Sequence, residues 1–411
     1  MSESAAAANP VGRRVIALLM LTMLIDAMGF GLIAPVAPRL IMSLTDTDLS
    51  RAAAIGGWLM VVFAAMQFLF SPVLGNLSDR FGRRPVLLLS LAALSVDYLM
   101  MALAPSIAWL FAGRLIAGIA SATYATANAV IADVIAANER ARHFGLLGAA
   151  WGIGFILGPA IGGLLGAFGP RVPFYVAAAL AAVNLMLGIV LLRETLAPEN
   201  RRPFTLRRAN IFGAIRQLRA YPAAFLLLGA IMFYQIAHDA MPSTWTYFTM
   251  LKFGWSEREV GLSLAALGLS VAIVQGGLIG PITRAIGERR AVYLGIACGI
   301  VGFVGYGLAT RAWMLFVCVA IAAFFGLMMP SIRAIMSRQV PANAQGELNG
   351  AIGGVISLTA IFAPLLMTQL FRTFTAPQAP VHLPGAAFFG AALMLLLCAA
   401  LFRLALRREQ V

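Results

Sequence analysis

Charged and metal-binding side chains are scarce in this sequence. Asp, Glu, Lys and Arg make up 11% of the 411 residues, and there are only three histidines and three cysteines. The cysteines, Cys298, Cys318 and Cys398, all lie in apolar segments, so no disulfide framework is implied. The sequence also lacks a cluster of metal ligands, a nucleophile paired with a base and a glycine-rich phosphate loop. We therefore predict no cofactor and no metal, and an enzyme is disfavoured.

Apolar residues, in contrast, are abundant, at 61% of the chain, well above the share that soluble proteins carry. They form twelve runs of about 18–25 residues, the length that crosses the roughly 30 Å core of a bilayer as a helix. The runs do not alternate with the period of two that barrel strands show. The sequence therefore predicts an all-α integral membrane protein with twelve transmembrane helices.

The formal net charge of +14 fits either a nucleic-acid partner or a membrane protein whose cations mark the cytoplasmic loops. If the amino terminus is inside, most of the 30 Lys and Arg residues lie on that side. The opposite side holds Arg39, Arg51, Arg171, Lys252, Arg258, Arg311 and Arg372. This asymmetry favours the second interpretation. It predicts that both termini are cytoplasmic and that no nucleic acid is bound.

A polar turn between the second and third helices has the most specific pattern in the chain. Gly75–Leu88 reads Gly-Asn-Leu-Ser-Asp-Arg-Phe-Gly-Arg-Arg-Pro-Val-Leu-Leu. Its glycines permit a tight turn, Pro85 can open the next helix, and Asp79 stands four residues before Arg83. A turn that only joined two membrane helices would need a few polar residues and one or two cations. This turn carries two glycines, an aspartate and three arginines within ten residues.

The layout of this turn repeats 205 positions later, in Gly280–Leu294, and the same offset pairs Pro159 with Pro364. Parallel repeats of this kind are typical of two-halved transporters. The chain is therefore divided into a cytoplasmic tail (1–13), an N-terminal six-helix half (14–193), a cytoplasmic linker (194–221), a C-terminal six-helix half (222–406) and a second tail (407–411). The linker is rich in arginine and is predicted to lie along anionic lipid.

Charges at corresponding positions of the two halves have opposite signs. Each set alternates in sign and can form a cluster of three charges at the cytoplasmic ends of its helices. We interpret the two sets as latches that hold the inner face closed in one state. The alternative is a set of solvated loop charges, of which each pair contributes under about 1 kcal/mol. The predicted gating residues are Asp79, Arg83 and Asp133 in the first half and Arg284, Glu288 and Arg338 in the second.

Ionisable residues inside apolar helices are costly unless they face a cavity or a partner, so they are functional candidates. Asp97 and Arg114 fall at similar depth in the third and fourth helices, which predicts an ion pair or a shared cavity. Asp26, near the midpoint of the first helix (14–39), has the alternative of a buried structural role. The predicted residues for proton coupling and the substrate cavity are Asp26, Gln67, Asp97, Arg114, Gln235, His238, Asp239 and Trp245.

The fifth helix carries glycines four residues apart, which form a flat stripe that lets another helix approach closely. Ordinary small-residue packing accounts for any single pair of such glycines. It accounts poorly for a stripe this long that is interrupted by a proline. The stripe consists of Gly154, Gly158, Pro159, Gly162 and Gly163.

Together these segments resemble a known family across nearly the whole chain. The Gly75–Leu88 turn is similar to the cytoplasmic signature of the major facilitator superfamily, and the glycine stripe is similar to the signature of its antiporters. More narrowly, the chain resembles the tetracycline/proton antiporters, through Asp26–Pro35, Asp79–Leu88, Gly113-Arg114, Ile131–Asp133 and Arg140–Gly145.

This resemblance implies the major facilitator fold, with two six-helix halves, and a proton-coupled antiporter that exports a drug-like molecule by alternating access. We further predict a monomer in a bacterial-type inner membrane, with a small molecule and protons as its partners. Asp26, Asp97 and Arg114 fall at matching positions for coupling and substrate contact.

The chain also departs from that pattern. Gly299 stands in helix nine where the tetracycline exporters carry an acid, and His238 and Asp239 are additions to helix seven. A carboxylate displaced to helix seven favours a lipophilic substrate set, cations included, that is broader than tetracycline. A metabolite exporter or general multidrug pump of the same fold is the alternative, and a polytopic membrane enzyme is a remote one.

Overall fold

The computed structural model describes residues 10–136, 139–203, 221–341, 344–379 and 381–408. Both predicted tails and the predicted linker therefore lie partly outside the described residues, including linker arginines Arg207, Arg208, Arg216 and Arg219. The described part of the chain contains helices and connecting turns but no strand, which confirms the predicted all-α class.

Fifteen α-helices follow one another in the described residues. Short 3-10 or π segments occupy Pro198–Asn200, Val274–Leu278 and Ala323–Leu327. The α-helices are α1 (Pro10–Ile33), α2 (Ala37–Thr45), α3 (Leu49–Phe81), α4 (Arg83–Leu103), α5 (Ile107–Ile119), α6 (Thr123–Val134), α7 (Arg140–Gly166), α8 (Val172–Leu191), α9 (Pro222–Phe253), α10 (Glu257–Ile273), α11 (Ile279–Leu308), α12 (Ala312–Ala322), α13 (Met328–Arg338), α14 (Gln345–Thr375) and α15 (Ala386–Arg408).

The described helices provide about twelve membrane spans. Eleven helical segments are long and apolar enough to cross a bilayer, and one of them, Glu257–Leu308, has 52 residues. About 20 residues suffice for one crossing. Gly287 interrupts this segment with a φ of 78°, a left-handed conformation in which a chain can turn and which glycine adopts readily. The segment therefore contains two spans, in agreement with the prediction.

Two predicted helices are broken in the structure. The first, expected over 14–39, ends at Ile33, and α2 begins at Ala37 after a turn. Pro35 accounts for this break, because proline lacks an N–H and disfavours helical backbone at the residue before it. The fourth, expected over 107–134, is divided between α5 and α6.

The internal repeat is visible in the backbone as well as in the sequence. Gly82 and Gly287, which lie 205 positions apart, both have a positive φ, of 109° and 78°. The break between α5 and α6 falls, at the same offset, on the 3-10 segment Ala323–Leu327. Corresponding turns and helix breaks therefore recur in the two halves of the chain.

The helices group into two compact units. Unit 1 comprises the described residues of Met1–Val36 and Ala65–Ala209, and unit 2 those of Ala37–Ala64 and Asn210–Val411. In unit 1, α1 packs along α7, and α4 packs along α8. In unit 2, α9 packs against α14 and α15.

Residues 37–64 are joined to the C-terminal helices of unit 2 by side-chain contacts. Arg39 Nε lies 2.6 Å from Glu257 Oε1, and the hydroxyls of Ser50 and Thr375 are 2.8 Å apart. Gly57 lies so close to Thr368 that a Cβ on it would meet the threonine side chain. Helix α3 therefore begins in one unit and ends in the other.

Two cations on the predicted outer side bind the carboxyl ends of helices. The guanidinium of Arg171 donates to the carbonyls of Ala102 and Ala104, at 2.8 and 2.7 Å. Lys252 Nζ donates to the carbonyl of Gly307 at 2.6 Å, 205 positions after Ala102. Helix carboxyl ends present free carbonyls and a partial negative charge. These cations are therefore accounted for by helix capping.

Candidate functional site

The predicted pairing of Asp97 with Arg114 is confirmed in unit 1. Asp97, on α4, is fully buried, and its carboxylate forms an ion pair with the guanidinium of Arg114, on α5. A second bond joins Arg114 Nε to Asp97 Oδ1 at 3.3 Å. Gly113 makes room for the pair, because a Cβ there would lie 2.6 Å from Asp97 Oδ1.

Asp26, on α1, lies in a separate polar group of the same unit. It receives a bond of 3.5 Å from the side-chain amide of Asn184. Asn184 is fully buried and accepts a hydrogen bond of 3.0 Å from Thr22. Asn184 was not among the predicted site residues, although an amide inside the apolar sixth helix was a usable signal. These contacts fit both roles predicted for Asp26, the functional one and the buried structural one.

Gln67, on α3, is held by a single described bond. Its Nε2 donates to the hydroxyl of Ser121 at 2.8 Å, and Ser121 lies in the break between α5 and α6. The break thus has a polar partner on a neighbouring helix of unit 1.

The three predicted gating residues of the first half meet at Arg83. Its Nη1 donates to Asp79 Oδ1 at 2.5 Å and to the hydroxyl of Ser78 at 2.6 Å. Its Nε donates to Asp133 Oδ2 at 3.0 Å. The Arg83 side chain is only 12% exposed, so these bonds are more sheltered than those of an ordinary surface pair.

The corresponding cluster of the second half has two members instead of three. Arg338 Nη1 lies 3.0 Å from Glu288 Oε1. Arg284, however, donates from Nε to the carbonyl of Gly280 on its own helix, at 3.3 Å, and it has no ion pair in the described residues. The prediction of a three-charge cluster here was therefore wrong. Exposed ion pairs contribute little free energy. An ion pair with Glu288 would therefore stabilise Arg284 little beyond the bond that its guanidinium already makes to its own helix.

We expect Arg83→Ala and Asp79→Asn each to lower the transport rate about tenfold, since loss of about 1.4 kcal/mol of state-specific stabilisation shifts an equilibrium tenfold. Both variants should favour the inward-open state, measured by labelling of cysteines on the cytoplasmic side. Arg80→Ala is the control, because Arg80 is an exposed cation of the same turn that stacks on Phe81. Wild-type transport and labelling in both variants would mean that the cluster is a solvated turn.

A polar face on α9 is the candidate site of unit 2. Gln235 Nε2 donates to Asp239 Oδ1 at 3.3 Å, and His238 Nδ1 lies 3.5 Å from the same oxygen. The other oxygen, Asp239 Oδ2, is buried and has no hydrogen-bond partner among the described residues. The structure therefore confirms that these three side chains share one face. It leaves one carboxylate oxygen free to accept a bond.

An aromatic wall adjoins this face. The rings of Tyr234 and Phe325 stack with centroids 4.5 Å apart, and His238 stacks on Phe325 at 6.3 Å. Phe325 also accounts for Gly299, because a Cβ at that position would lie 3.0 Å from its ring and 2.7 Å from Leu395. A larger side chain at position 299, on α11, is therefore excluded unless these neighbours move. Phe325 was not identified from the sequence, since nothing in an apolar run marks one phenylalanine.

Trp245 does not line this site, contrary to prediction. Its side chain is 1% exposed, its Nε1 donates to the hydroxyl of Ser263 at 2.9 Å, and its ring meets Tyr306 edge-on at 5.1 Å. An indole with a large apolar surface and one donor is well suited to such a packed position. Trp245 is therefore part of the core of unit 2.

The glycine stripe of α7 lies directly on the backbone of α1. A Cβ on Gly158 would lie 2.7 Å from the carbonyl oxygen of Met28 and 2.8 Å from the Cα of Gly31. Gly154 and Gly162 meet the α1 backbone in the same way, and Pro159 contacts Gly31. Gly163 is buried. The predicted close approach of another helix is confirmed, and its partner is the helix that carries Asp26.

Comparison with known proteins agrees with this architecture. The family model described as Major Facilitator Superfamily matches residues 19–364 and 240–411. The chain is 42% identical over 350 residues to "Tetracycline resistance protein, class C" of Escherichia coli, which covers 85% of this chain and 88% of that protein. It is 40% identical over 364 residues to "Tetracycline resistance protein, class G" of Vibrio anguillarum, with 87% and 90% covered.

Solved structures show the same fold at low sequence identity. A bacterial homologue of the human lysosomal transporter Spinster, in an inward-facing and unoccupied conformation, matches with a TM-score of 0.77 and 18% identity. The alignment covers 97% of this chain and 98% of that one.

Proposed function

The chain belongs to the major facilitator superfamily and is a drug-efflux transporter, not an enzyme, and on that premise we propose that it exports a drug-like molecule in exchange for protons. The observation that carries proton coupling is the fully buried Asp97 carboxylate, paired with Arg114. A carboxyl group inside a membrane helix is held there at a cost. It can alternate between a charged form bound to Arg114 and a protonated form released from it.

Proton exchange is testable with purified protein in inverted or reconstituted vesicles. Addition of a transported compound should move protons across the membrane, recorded with a pH-sensitive dye. A resistance screen in an efflux-deficient strain then identifies the compounds. Resistance without proton movement would contradict the coupling, and absence of both would contradict the proposed export.

We further propose a monomer in a bacterial-type inner membrane, with both termini in the cytoplasm and no nucleic-acid partner. The asymmetry of cations along the chain supports this orientation. Because Arg171 and Lys252 cap helix ends, two of the seven exceptions to that asymmetry have a structural explanation. In intact cells, a protease added outside should leave a tag on either terminus uncut. It should digest the tag only after the membrane is permeabilised.

The substrate set is proposed to be broader than tetracycline because of the α9 face. The free oxygen of Asp239 can accept a bond from a cationic or donor group, and the Tyr234–Phe325 stack offers an aromatic surface. Removing the Asp239 charge would take the carboxylate away from this face, which disfavours a cationic compound.

We expect Asp239→Asn to reduce resistance to cationic compounds first, by roughly tenfold if about 1.4 kcal/mol of interaction is lost. The measurement is a panel of minimal inhibitory concentrations for tetracycline, cationic dyes and uncharged antibiotics. Asp239→Glu, which keeps the charge, is the control. If the protein confers strong resistance to tetracycline alone and Asp239→Asn leaves it unchanged, the broader substrate set is wrong.

A further inference from the structure

Glu194, an acid beside the first gating cluster, accepts four hydrogen bonds from backbone N–H groups. It follows the carboxyl end of α8 by three residues, at the start of the predicted linker. Its Oε1 accepts from the backbone N–H of Arg83 at 2.8 Å, and its Oε2 accepts from that of Arg84 at 3.2 Å. By its position in the sequence, Glu194 belongs to the linker that is predicted to lie along anionic lipid.

The contact is reciprocal. While Glu194 binds the free N–H groups that begin α4, the guanidinium of Arg84 donates to the carbonyl of Ile189, near the end of α8, at 2.8 Å. An anion at a helix amino end and a cation at a carboxyl end both match the helix dipole. We call this pair of contacts the α4–α8 clasp.

The clasp also requires the glycine of the turn. Gly82 has a φ of 109°, and a Cβ on it would lie 2.5 Å from Glu194 Cδ. The Glu194 carboxylate therefore occupies the space that any other residue would need. At the matching Gly287 of unit 2, the space around a Cβ is open to 4 Å.

The segment after Glu194 continues along the gating cluster. The hydroxyl of Thr195 donates to Asp133 Oδ2 at 3.4 Å, and the N–H of Arg202 donates to the carbonyl of Asp79 at 3.0 Å. Between the segment and the cluster lies a polar cleft of about 530 Å³. The segment 194–202 thus contacts both acids that bind Arg83.

The two halves offer a comparison within one molecule. Both have a helix–glycine–helix turn with alternating charges. Among the described residues, all three charges meet only at the first turn, which is held by an acid from outside it. We propose that Glu194 is a positioning residue for Arg83: by fixing the first backbone groups of α4, it directs the guanidinium between Asp79 and Asp133. It also connects the start of the linker to that cluster.

This inference rests on the proposed export function, so its test has one arm that needs no substrate. In purified protein, the amides of residues 83 and 84 should be protected from hydrogen exchange, and Glu194→Gln and Glu194→Ala should increase their exchange rates. Glu199→Ala is the matched control, because Glu199 is an exposed acid of the same segment that lines the same cleft. Unchanged exchange in both Glu194 variants would overturn the clasp.

The second arm measures transport. Glu194→Ala should lower the maximal transport rate about tenfold with little change in KM, since it removes an interaction that positions the gate and not the substrate. In an Arg83→Ala background, Glu194→Ala should lower the transport rate by less than a further factor of about two, because the two residues act as one unit. Full additivity, or a wild-type rate in Glu194→Ala with faster exchange, would overturn the positioning role.

Failure of the two proposals can be told apart. If the wild-type protein moves no compound, the export function and the transport role of Glu194 fall together, while the exchange arm still decides whether the clasp exists. A lower melting temperature with an unchanged KM and rate would assign Glu194 to stability alone, and this also contradicts the proposal.

Discussion

Asp97→Asn should abolish proton-driven uptake of substrate into inverted vesicles. Asn has nearly the shape of Asp, so it can still pack against Gly113 and accept a bond from Arg114 through its amide oxygen. It cannot take up or release a proton. The driving force of the proton gradient should therefore be lost, while exchange of labelled for unlabelled substrate without a gradient should continue. Uptake and exchange are measured in the same vesicles.

Loss of the buried charge will also affect stability, because it leaves the Arg114 guanidinium without its counter-ion. A melting curve separates this effect from coupling, and retained exchange shows that the variant is folded. Asp48→Asn is the control: Asp48 is exposed and accepts a bond from the N–H of Arg51 at the start of α3, a capping role that Asn performs equally well. Wild-type uptake by Asp97→Asn would exclude Asp97 from coupling and transfer the role to Asp26 or Asp239.

Gly158→Ala should destabilise the protein by about 1–3 kcal/mol, the usual cost of forcing an extra carbon into a packed interface. The added methyl would meet the backbone of α1, and a backbone cannot rotate away as a flexible side chain can. α1 carries Asp26, so its displacement should also lower transport. The measurements are the melting temperature and the amount of folded protein in the membrane.

Gly152→Ala makes the same chemical change on the same helix and should have the opposite sign. A Cβ on Gly152 would meet nothing within 4 Å, and replacing an open helical glycine by alanine typically stabilises by roughly 0.5–1 kcal/mol. Equal destabilisation by both substitutions would mean that α7 responds to helix propensity and not to its contact with α1.

Several site residues were predictable because a charged side chain inside a membrane is costly unless it faces a cavity or a partner. Asp97 and Arg114 stood at similar depth in two adjacent apolar helices, and a buried charge needs a partner there. Position therefore predicted an ion pair or a shared cavity, and the structure shows the ion pair. Asp79 and Arg83 were predictable as partners because they stand four residues apart in one short polar turn. Gln235, His238 and Asp239 were predictable as one face of a helix by its periodicity.

Other residues were not predictable because their environment depends on chain segments distant in sequence. Trp245 follows His238 by seven residues, about two helical turns, and so lies on the same side of the helix. Ser263 and Tyr306, however, contact it and make it part of the core. Arg284 has the charge of a gating residue, but it bonds its own helix. Glu194 was placed in a linker predicted to lie along anionic lipid, and its contact with the Arg83 amide was not predictable because 111 residues separate the two.

The sequence by itself determined the membrane spans, the twofold repeat and the charges available at each depth, because the bilayer imposes a length of about 20 apolar residues and a cost on every unpaired charge. Only the tertiary structure decided which of those charges meet. It placed Ala37–Ala64 with the C-terminal helices, brought α7 onto α1 through backbone contact, and brought Glu194 to the first turn of α4. Each of these contacts joins segments that are far apart in the chain, and their geometry follows from side-chain packing, which no local pattern specifies.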